Sequence, residues 1–153
     1  MLTSDWGSIA MGLVAHDVLF ICFVGEISDE LGARCARRIE RTLTGDRKVG
    51  LFMDAYSPDG GNVSARSHVI RALLSRRDCV HSVVTLVRTE HVKTTARRLS
   101  DTLAVPAVVT TEPREFDRML VEAAPLAHER IHPNNCVLAT PESERPLRIV
   151  KSS

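Results

Sequence analysis

Apolar stretches alternate with helical repeats along most of the chain. Residues 9–14 and 18–24 form two apolar runs with a short polar break between them, which predicts an antiparallel hairpin. A helix is predicted next, with Ser28 as its N-cap and Gly45 as its stop. Its apolar side chains recur at four-residue spacing, in Leu31, Cys35, Ile39 and Leu43.

Three further units of strand followed by helix are predicted. The strands are expected at residues 49–53, 80–87 and 107–110. The inner faces of the helices that follow are expected at Val69, Ile70, Leu73 and Leu74, at Val92, Ala96, Leu99 and Leu103, and, after Pro113, at Phe116, Leu120 and Ala123. Parallel neighbours need a crossover, which a helix of this length supplies. The predicted fold class is α/β: a mixed, largely parallel β-sheet with an N-terminal β-hairpin and about four helices.

Length and composition divide the chain into a domain and a tail. The 153 residues suffice for one domain with a substantial core. We assign residues 1–126 to this domain. Residues 127–153 carry Pro133, Pro141 and Pro146 among polar residues, so we assign them to a Pro-rich C-terminal tail.

Charge and cysteine usage restrict the classes of partner and compartment. Lysine and arginine number 20 against 19 acidic residues, and aromatic residues make up 4%, so nucleic acid is not a predicted partner. The start of the chain does not resemble a signal peptide, and apolar runs are too short to span a membrane. The four cysteines are scattered and lack a CxxC pair, so we expect them to be reduced, buried thiols in a cytoplasmic protein. We expect the protein to use neither a metal nor a cofactor.

The order of three features carries a family resemblance: Gly25-Glu26-Ile27 as a turn, a helix from Ser28, and a strand that ends in Met53-Asp54. Across roughly residues 9–124 this order resembles the STAS domain, named for sulfate transporters and anti-sigma-factor antagonists. The resemblance implies a non-catalytic module that binds a partner protein, either an anti-sigma-factor-like kinase or another regulator. It also implies a serine, at the start of the helix after the Asp-ended strand, that phosphorylation switches.

The chain departs from the family pattern at this serine. Bacterial antagonists carry Asp-Ser-Ser-Gly, whereas this chain reads Asp54-Ala55-Tyr56-Ser57 and continues to Ser64 without such a motif. Ser64 is the better positional candidate because it is expected to cap the helix, where a phosphate meets free backbone N–H groups. Ser57 is the alternative. The predicted contact and switch residues are Ser28, Asp54, Ser57, Asp59, Gly60, Gly61, Asn62, Ser64 and Arg66.

Several other interpretations of the same loop stay open. Gly60-Gly61 suits a tight turn or a close approach to a ligand, and Asp54 suits either a structural or a catalytic carboxylate. Ser57 or Ser64, with His68 or His91 and Asp54, contains the residue types of a nucleophilic triad, but no Gly-x-Ser-x-Gly elbow is present, so an enzyme is not predicted. Two alternatives remain: a small-molecule or lipid-binding domain with a cavity beneath residues 54–64, and a self-assembling structural protein that forms a homo-oligomer.

Overall fold

The structure is a computed structural model that describes residues 1–125, apart from the side chains of residues 57–61 and 91. The last residue of the predicted domain and the predicted tail, 127–153, lie outside the described residues, as does Cys136. The division into domain and tail therefore stays a prediction.

Six strands and four helices make up the described part of the chain. The strands are β1 (Leu2–Thr3), β2 (Gly7–Ala15), β3 (Val18–Ile27), β4 (Val49–Gly61), β5 (Val80–Val87) and β6 (Ala107–Thr110). The helices are α1 (Asp29–Thr42), α2 (Val63–Ser75), α3 (Glu90–Leu103) and α4 (Pro113–Ala123), and a 3-10 turn at Arg77–Cys79 precedes β5. The predicted α/β class, the hairpin and the helices are confirmed. β1 was not predicted, because two residues are too few to form a pattern.

The strands form one sheet in chain order, from β1 to β6. β1, β2 and β3 are antiparallel neighbours, whereas β3, β4, β5 and β6 are parallel. Crossovers between parallel strands are right-handed, so an order that advances in one direction places the connecting helices α1, α2 and α3 on one face. α4 follows the last strand and covers the opposite face.

Alternating residues of the strands supply two separate cores. Leu19, Ile21 and Leu51 pack with residues of α1 and α2. Phe20 follows Leu19, and Phe52 follows Leu51, so both rings point to the opposite face of the sheet. There they pack with Phe116 and Leu120 of α4. The rings of Phe52 and Phe116 meet edge to face, with centroids 5.8 Å apart. The side of the sheet on which a residue lies therefore follows from its parity along the strand.

The predicted end of the third strand at Asp54 was wrong, as was the predicted turn at Gly25-Glu26-Ile27. β4 runs on to Gly61, and the tripeptide forms the last residues of β3. The two extensions pair with each other, since Val24 lies opposite Ser57 and Ile27 lies opposite Gly61. Backbone pairing sustains both strands where the apolar pattern of the sequence has stopped.

Glycine is required at position 25 for two reasons, its backbone conformation and the close approach of Trp6. Its φ is +71°, in the left-handed region that favours glycine. A Cβ atom there would come within 2.3 Å of the Trp6 carbonyl oxygen. The amide of Glu26 donates to that same oxygen at 3.0 Å. The tripeptide thus holds the loop that carries Trp6 against the end of β3.

Smaller differences concern helix ends and core positions. α1 ends at Thr42, and Gly45, with a φ of +64°, lies in the turn beyond it. At the end of α4, the C-cap residue Ala124 rather than the predicted Ala123 is buried with Phe116 and Leu120. Cys22, Cys35 and Cys79 are buried thiols, and burial raises the pKa of Cys35 to about 12.

Candidate functional site

The C-terminal ends of β3, β4 and β5 and the first turns of α1, α2 and α3 meet at one edge of the sheet. We name this region the carboxyl edge. In open α/β sheets the ends of parallel strands are where ligands and partners usually bind, because helix N-termini and loops converge there. Most of the candidate residues lie at this edge.

Ser28 caps α1, as predicted. Its hydroxyl accepts a hydrogen bond from the amide of Leu31 at 3.2 Å, which satisfies one of the free N–H groups of the first turn. Asp29 and Glu30 follow in that turn, where negative charge is favourable. Ser28 therefore fixes where α1 begins and which way Asp29 projects.

Asn62, and not Ser64, caps α2. The Asn62 side-chain oxygen accepts from the amide of Ser64 at 2.9 Å, and the helix begins at Val63. The prediction that Ser64 is the cap was wrong because an asparagine two positions earlier provides the same hydrogen bond. Ser64 lies inside the first turn, and its hydroxyl is available for a different contact.

Ser64 and His68 both contact Asp29 across the gap between α2 and α1. The Ser64 hydroxyl donates to Asp29 Oδ1, and His68 Nε2 lies 3.1 Å from the same oxygen. The hydrogen bond from Ser64 is the main cause that lowers the pKa of Asp29, and His68 acts in the same direction. In a Ser-His-Asp triad the imidazole lies between hydroxyl and carboxylate, whereas here the carboxylate lies between the other two. The cluster links two helices and lacks the geometry of a triad.

Asp54 is not part of this cluster. It lies one position after Met53 and therefore faces the α4 side of the sheet, where it is buried and close to the charge of Asp117. Its Oδ1 accepts from the Tyr56 amide at 3.0 Å. Burial is the main cause that raises the pKa of this carboxyl group. Asp54 thus bonds the backbone of its own strand, the structural role weighed for it above.

The remaining predicted residues divide into two groups. Arg66 is exposed on the first turns of α2, two positions from both Ser64 and His68 and therefore on a different face of the helix. Ser57, Asp59, Gly60 and Gly61 belong to the last part of β4, and their side chains lie outside the described part of the structure. The structure therefore places Ser28, Asn62 and Ser64 at the adjoining starts of α1 and α2, and it separates Arg66 and Asp54 from the cluster.

A groove of about 500 Å³ lies between α2 and α3, on the face of the sheet that α1, α2 and α3 cover. We name it the α2–α3 groove. Most of its lining is apolar and includes Phe23, Ile27, Met53, Val69, Val87 and Leu99. Its volume is within the usual range for small-molecule sites. The predicted alternative of a small-molecule or lipid-binding domain required a cavity of this kind beneath residues 54–64.

Thr85 is the unusual residue of this groove. It is 3% exposed, and its hydroxyl has no hydrogen-bond partner among the described residues. A buried hydroxyl without a partner costs roughly 1–3 kcal/mol. Sequence reasoning passed over Thr85 because a threonine in a β-strand is ordinary, although it interrupts the otherwise apolar run from Val83 to Val87.

Arg88 lies at the mouth of the groove, directly after β5. Its Nε donates to the Tyr56 carbonyl oxygen at 3.0 Å, and its guanidinium carbon lies 5.8 Å from the centre of the Tyr56 ring. This geometry suits a cation–π contact, which holds the side chain in place without neutralising its charge. Neither Arg88 nor Arg66 forms an ion pair with a carboxylate that the structure describes.

Exposed apolar side chains are concentrated at the carboxyl edge. Among the described residues, the large apolar side chains that are exposed are Trp6 (79%), Val63 (73%), Val92 (43%) and Val108 (41%). Val63 and Val92 belong to the first turns of α2 and α3, and Trp6 lies against the end of β3. Only Val108, on β6, lies elsewhere. Trp6 and Val63 belong to no periodic pattern, and the prediction that Val92 lies on the inner face of its helix was wrong, so the sequence did not reveal this grouping.

Residues 1–125 contain neither a helix suited to span a membrane nor a cluster of metal ligands. No helix there combines the length and the apolar character that a bilayer crossing requires. No three histidine, cysteine, aspartate or glutamate side chains of that range come together as metal ligands.

Two solved structures resemble this fold. One is an uncharacterized protein from the DUF3478 family with a SpoIIAA-like fold, from Shewanella loihica PV-4, with a TM-score of 0.63 and 18% identity over 78% of this chain and 99% of that one. The other is the anti-sigma factor antagonist SpoIIAA in its unphosphorylated form, with a TM-score of 0.50 and 12% identity over 73% of this chain and 96% of that one. The chain therefore has a SpoIIAA-like fold, which confirms the predicted STAS-like architecture.

Comparison by sequence gave no corresponding match. No family model matches the chain, and no curated protein matches it. The likeness is one of fold, so the residues of the site have to be argued from this chain alone.

Proposed function

We propose that this chain is a non-catalytic regulatory module that binds a partner protein through its carboxyl edge. The observation that carries the proposal is the exposure of Trp6, Val63 and Val92 at that edge. Scattered apolar residues on a surface are ordinary, but several at one edge of a domain are typical of a contact surface. Tryptophan is enriched among the few residues that supply most of the binding energy of a protein contact, which favours Trp6 as the main contributor.

The class of partner follows from the fold and from the charges. SpoIIAA, which shares this fold, is an anti-sigma factor antagonist, and we therefore expect a protein regulator, such as an anti-sigma-factor-like kinase. Asp29, Ser64 and Arg66 are polar residues of the same edge, in the first turns of α1 and α2. Apolar residues together with charged ones are typical of protein contacts, in which the charges help to select the partner.

We place the switch at Ser64. A kinase that transfers the γ-phosphoryl group of ATP to the Ser64 hydroxyl would remove the hydrogen bond to Asp29 and put a second negative charge beside that carboxylate. The same phosphate would stand near the positive N-terminal end of α2, where it is tolerated. Phosphorylation would therefore change the spacing and charge of the first turns of α1 and α2 without unfolding α2.

Affinity capture with point variants tests the contact surface. Immobilised wild-type protein, Val63→Lys and Val108→Lys are each exposed to lysate of the source cell, and the captured proteins are identified by mass spectrometry. Both substitutions place the same charge at an exposed valine, but only Val63 lies at the carboxyl edge. We expect a protein that is enriched by wild type and by Val108→Lys and is lost with Val63→Lys.

The control is thermal unfolding, which must show that both variants are folded. Capture that is equal for all three proteins would contradict a contact at Val63. If the captured protein is this chain itself, the surface serves self-assembly, and the proposal of a separate regulator fails.

A further inference from the structure

We propose that the α2–α3 groove is a binding site for a small carboxylic acid with an apolar body and one neutral oxygen, such as an ω-hydroxy fatty acid of medium chain length. The proposal does not depend on the protein contact at Val63, although Arg66 and Val92 lie in both regions. A groove of about 500 Å³ accommodates a molecule of this size. Its apolar walls select a hydrocarbon body over a nucleotide or a sugar.

The charges at the mouth select an acid. Arg66 and Arg88 line the groove from α2 and from the end of β5, and no acidic residue is among the lining side chains that the structure describes. Glu90, which is near Arg88 in sequence, pairs with Lys93 at 3.3 Å. Arginine presents several N–H donors in a plane and suits a carboxylate, which accepts two parallel hydrogen bonds.

Thr85 supplies the second, independent indication of a ligand. Its side chain lines the groove, and its hydroxyl is buried without a partner among the described residues. Rotation about the Cα–Cβ bond moves the hydroxyl from one staggered position to another, and in the proposed complex it takes the position that faces the groove. Thr85 therefore offers one hydrogen bond deep in an otherwise apolar floor.

The spacing of Thr85 and Arg88 sets the length of the ligand. Their Cα atoms are three residues apart along the chain, which corresponds to about 10 Å on an extended backbone. An extended chain of roughly ten carbons spans that distance. With its carboxylate between Arg66 and Arg88, such a chain places a terminal hydroxyl beside Thr85. This geometry predicts that 10-hydroxydecanoic acid binds more tightly than decanoic acid, and that 1-decanol binds more weakly than either.

Isothermal titration calorimetry of the full-length chain with these three probes, each as a monomer in solution, tests the site. We expect Arg88→Gln to lower the affinity for both acids by about tenfold and to leave the affinity for 1-decanol unchanged. Arg97→Gln, an exposed arginine of α3 that does not line the groove, is the matched control and should bind like wild type. Thermal unfolding checks that each variant is folded.

Thr85→Val tests the floor of the groove with almost no change in side-chain shape. We expect it to lower the affinity for 10-hydroxydecanoic acid to that for decanoic acid and to leave decanoic acid binding unchanged. Absence of saturable binding to the full-length chain, or equal affinity for acid and alcohol, overturns the proposal. Binding only to vesicles that contain anionic lipids, with no affinity for the free acids, overturns it also.

Discussion

Gly32 of α1 lies directly against Ala65 of α2. A Cβ atom at Gly32 would come within 2.6 Å of both the Cα atom and the carbonyl oxygen of Ala65. The two helices therefore touch backbone to backbone, just behind the cluster of Asp29, Ser64 and His68. Any change in the spacing of the two helices must act at this contact.

Gly32→Ala is expected to lower the free energy of unfolding by about 1–3 kcal/mol, because the added methyl group clashes with backbone atoms. Alanine is the better helix former by about 1 kcal/mol, so the measured loss is a minimum for the steric cost. Denaturant unfolding gives the value. The double variant Gly32→Ala with Ala65→Gly is the control, and it should not recover the loss, since the nearest atoms belong to the backbone. Full recovery would show that the side chains alone set the spacing.

A matched pair of threonines tests the assignment of hydrogen bonds. Thr85 and Thr110 are both 3% exposed and lie on neighbouring strands. The Thr110 hydroxyl donates to Glu115 and accepts from the amide of Glu112, whereas the Thr85 hydroxyl has no partner in the described structure. We expect Thr110→Val to cost about 1–3 kcal/mol, and Thr85→Val to leave stability unchanged or raise it by about 1 kcal/mol. Equal losses in chemical denaturation would contradict this difference.

Asp54→Asn is expected to raise stability at neutral pH. Folding raises the pKa of Asp54 above its ordinary value of 3.8, so the folded state favours the protonated carboxyl. The stability that this preference contributes is complete below pH 3.8 and is lost as the pH rises through the raised pKa. Asparagine does not ionise and keeps an oxygen that accepts from the Tyr56 amide.

The measurement is the difference in unfolding free energy between Asp54→Asn and wild type, taken from pH 3 to pH 7. The difference should increase with pH across this range. Asp101→Asn, which changes an exposed carboxylate of α3, serves as the control. A difference that does not depend on pH would mean that Asp54 ionises as easily in the folded chain as in the unfolded one.

Ser64→Asp imitates the charge of the proposed switch. The new carboxylate would face Asp29 in place of the hydrogen bond from Ser64, and we expect partner capture to fall while the exposed position keeps global stability nearly unchanged. Asp29→Asn in the same chain should restore capture, because it removes the repulsion. Ser67→Asp, on the same helix but without a contact to Asp29, should behave like wild type. Unchanged capture by Ser64→Asp would rule out the switch.

The apolar pattern predicted the strands best where side chains decide the structure. β5 and β6 coincide with the predicted runs, and most of β5 is buried on both faces, which makes a strand continuously apolar. The pattern failed at residues 54–61, where β4 is held by backbone pairing with the end of β3, and such pairing leaves no trace in side-chain type. The fold was predicted in spite of this failure because the order of motifs along the chain resembles that of the STAS domain.

The candidate site was predicted less completely than the fold. Ser28 was identified as a cap from its position before an acidic turn, and Ser64 was correctly placed at the start of α2. The contact between Ser64 and Asp29 joins residues 35 positions apart, and no local rule foretells it. Thr85 and Arg88 gained their interest only once the gap between α2 and α3 was visible.

The order of strands in the sheet also bears on how the chain is made. Each strand from β2 to β6 pairs with the strand synthesised just before it, so the sheet is able to grow as the chain leaves the ribosome. The helix that covers Phe20 and Phe52 is the last of the helices in residues 1–125 to emerge. A chain cut short before α4 would already have the backbone hydrogen bonds of its sheet, but the face that α4 covers would expose apolar side chains to water. Unfinished copies would associate with one another through that surface.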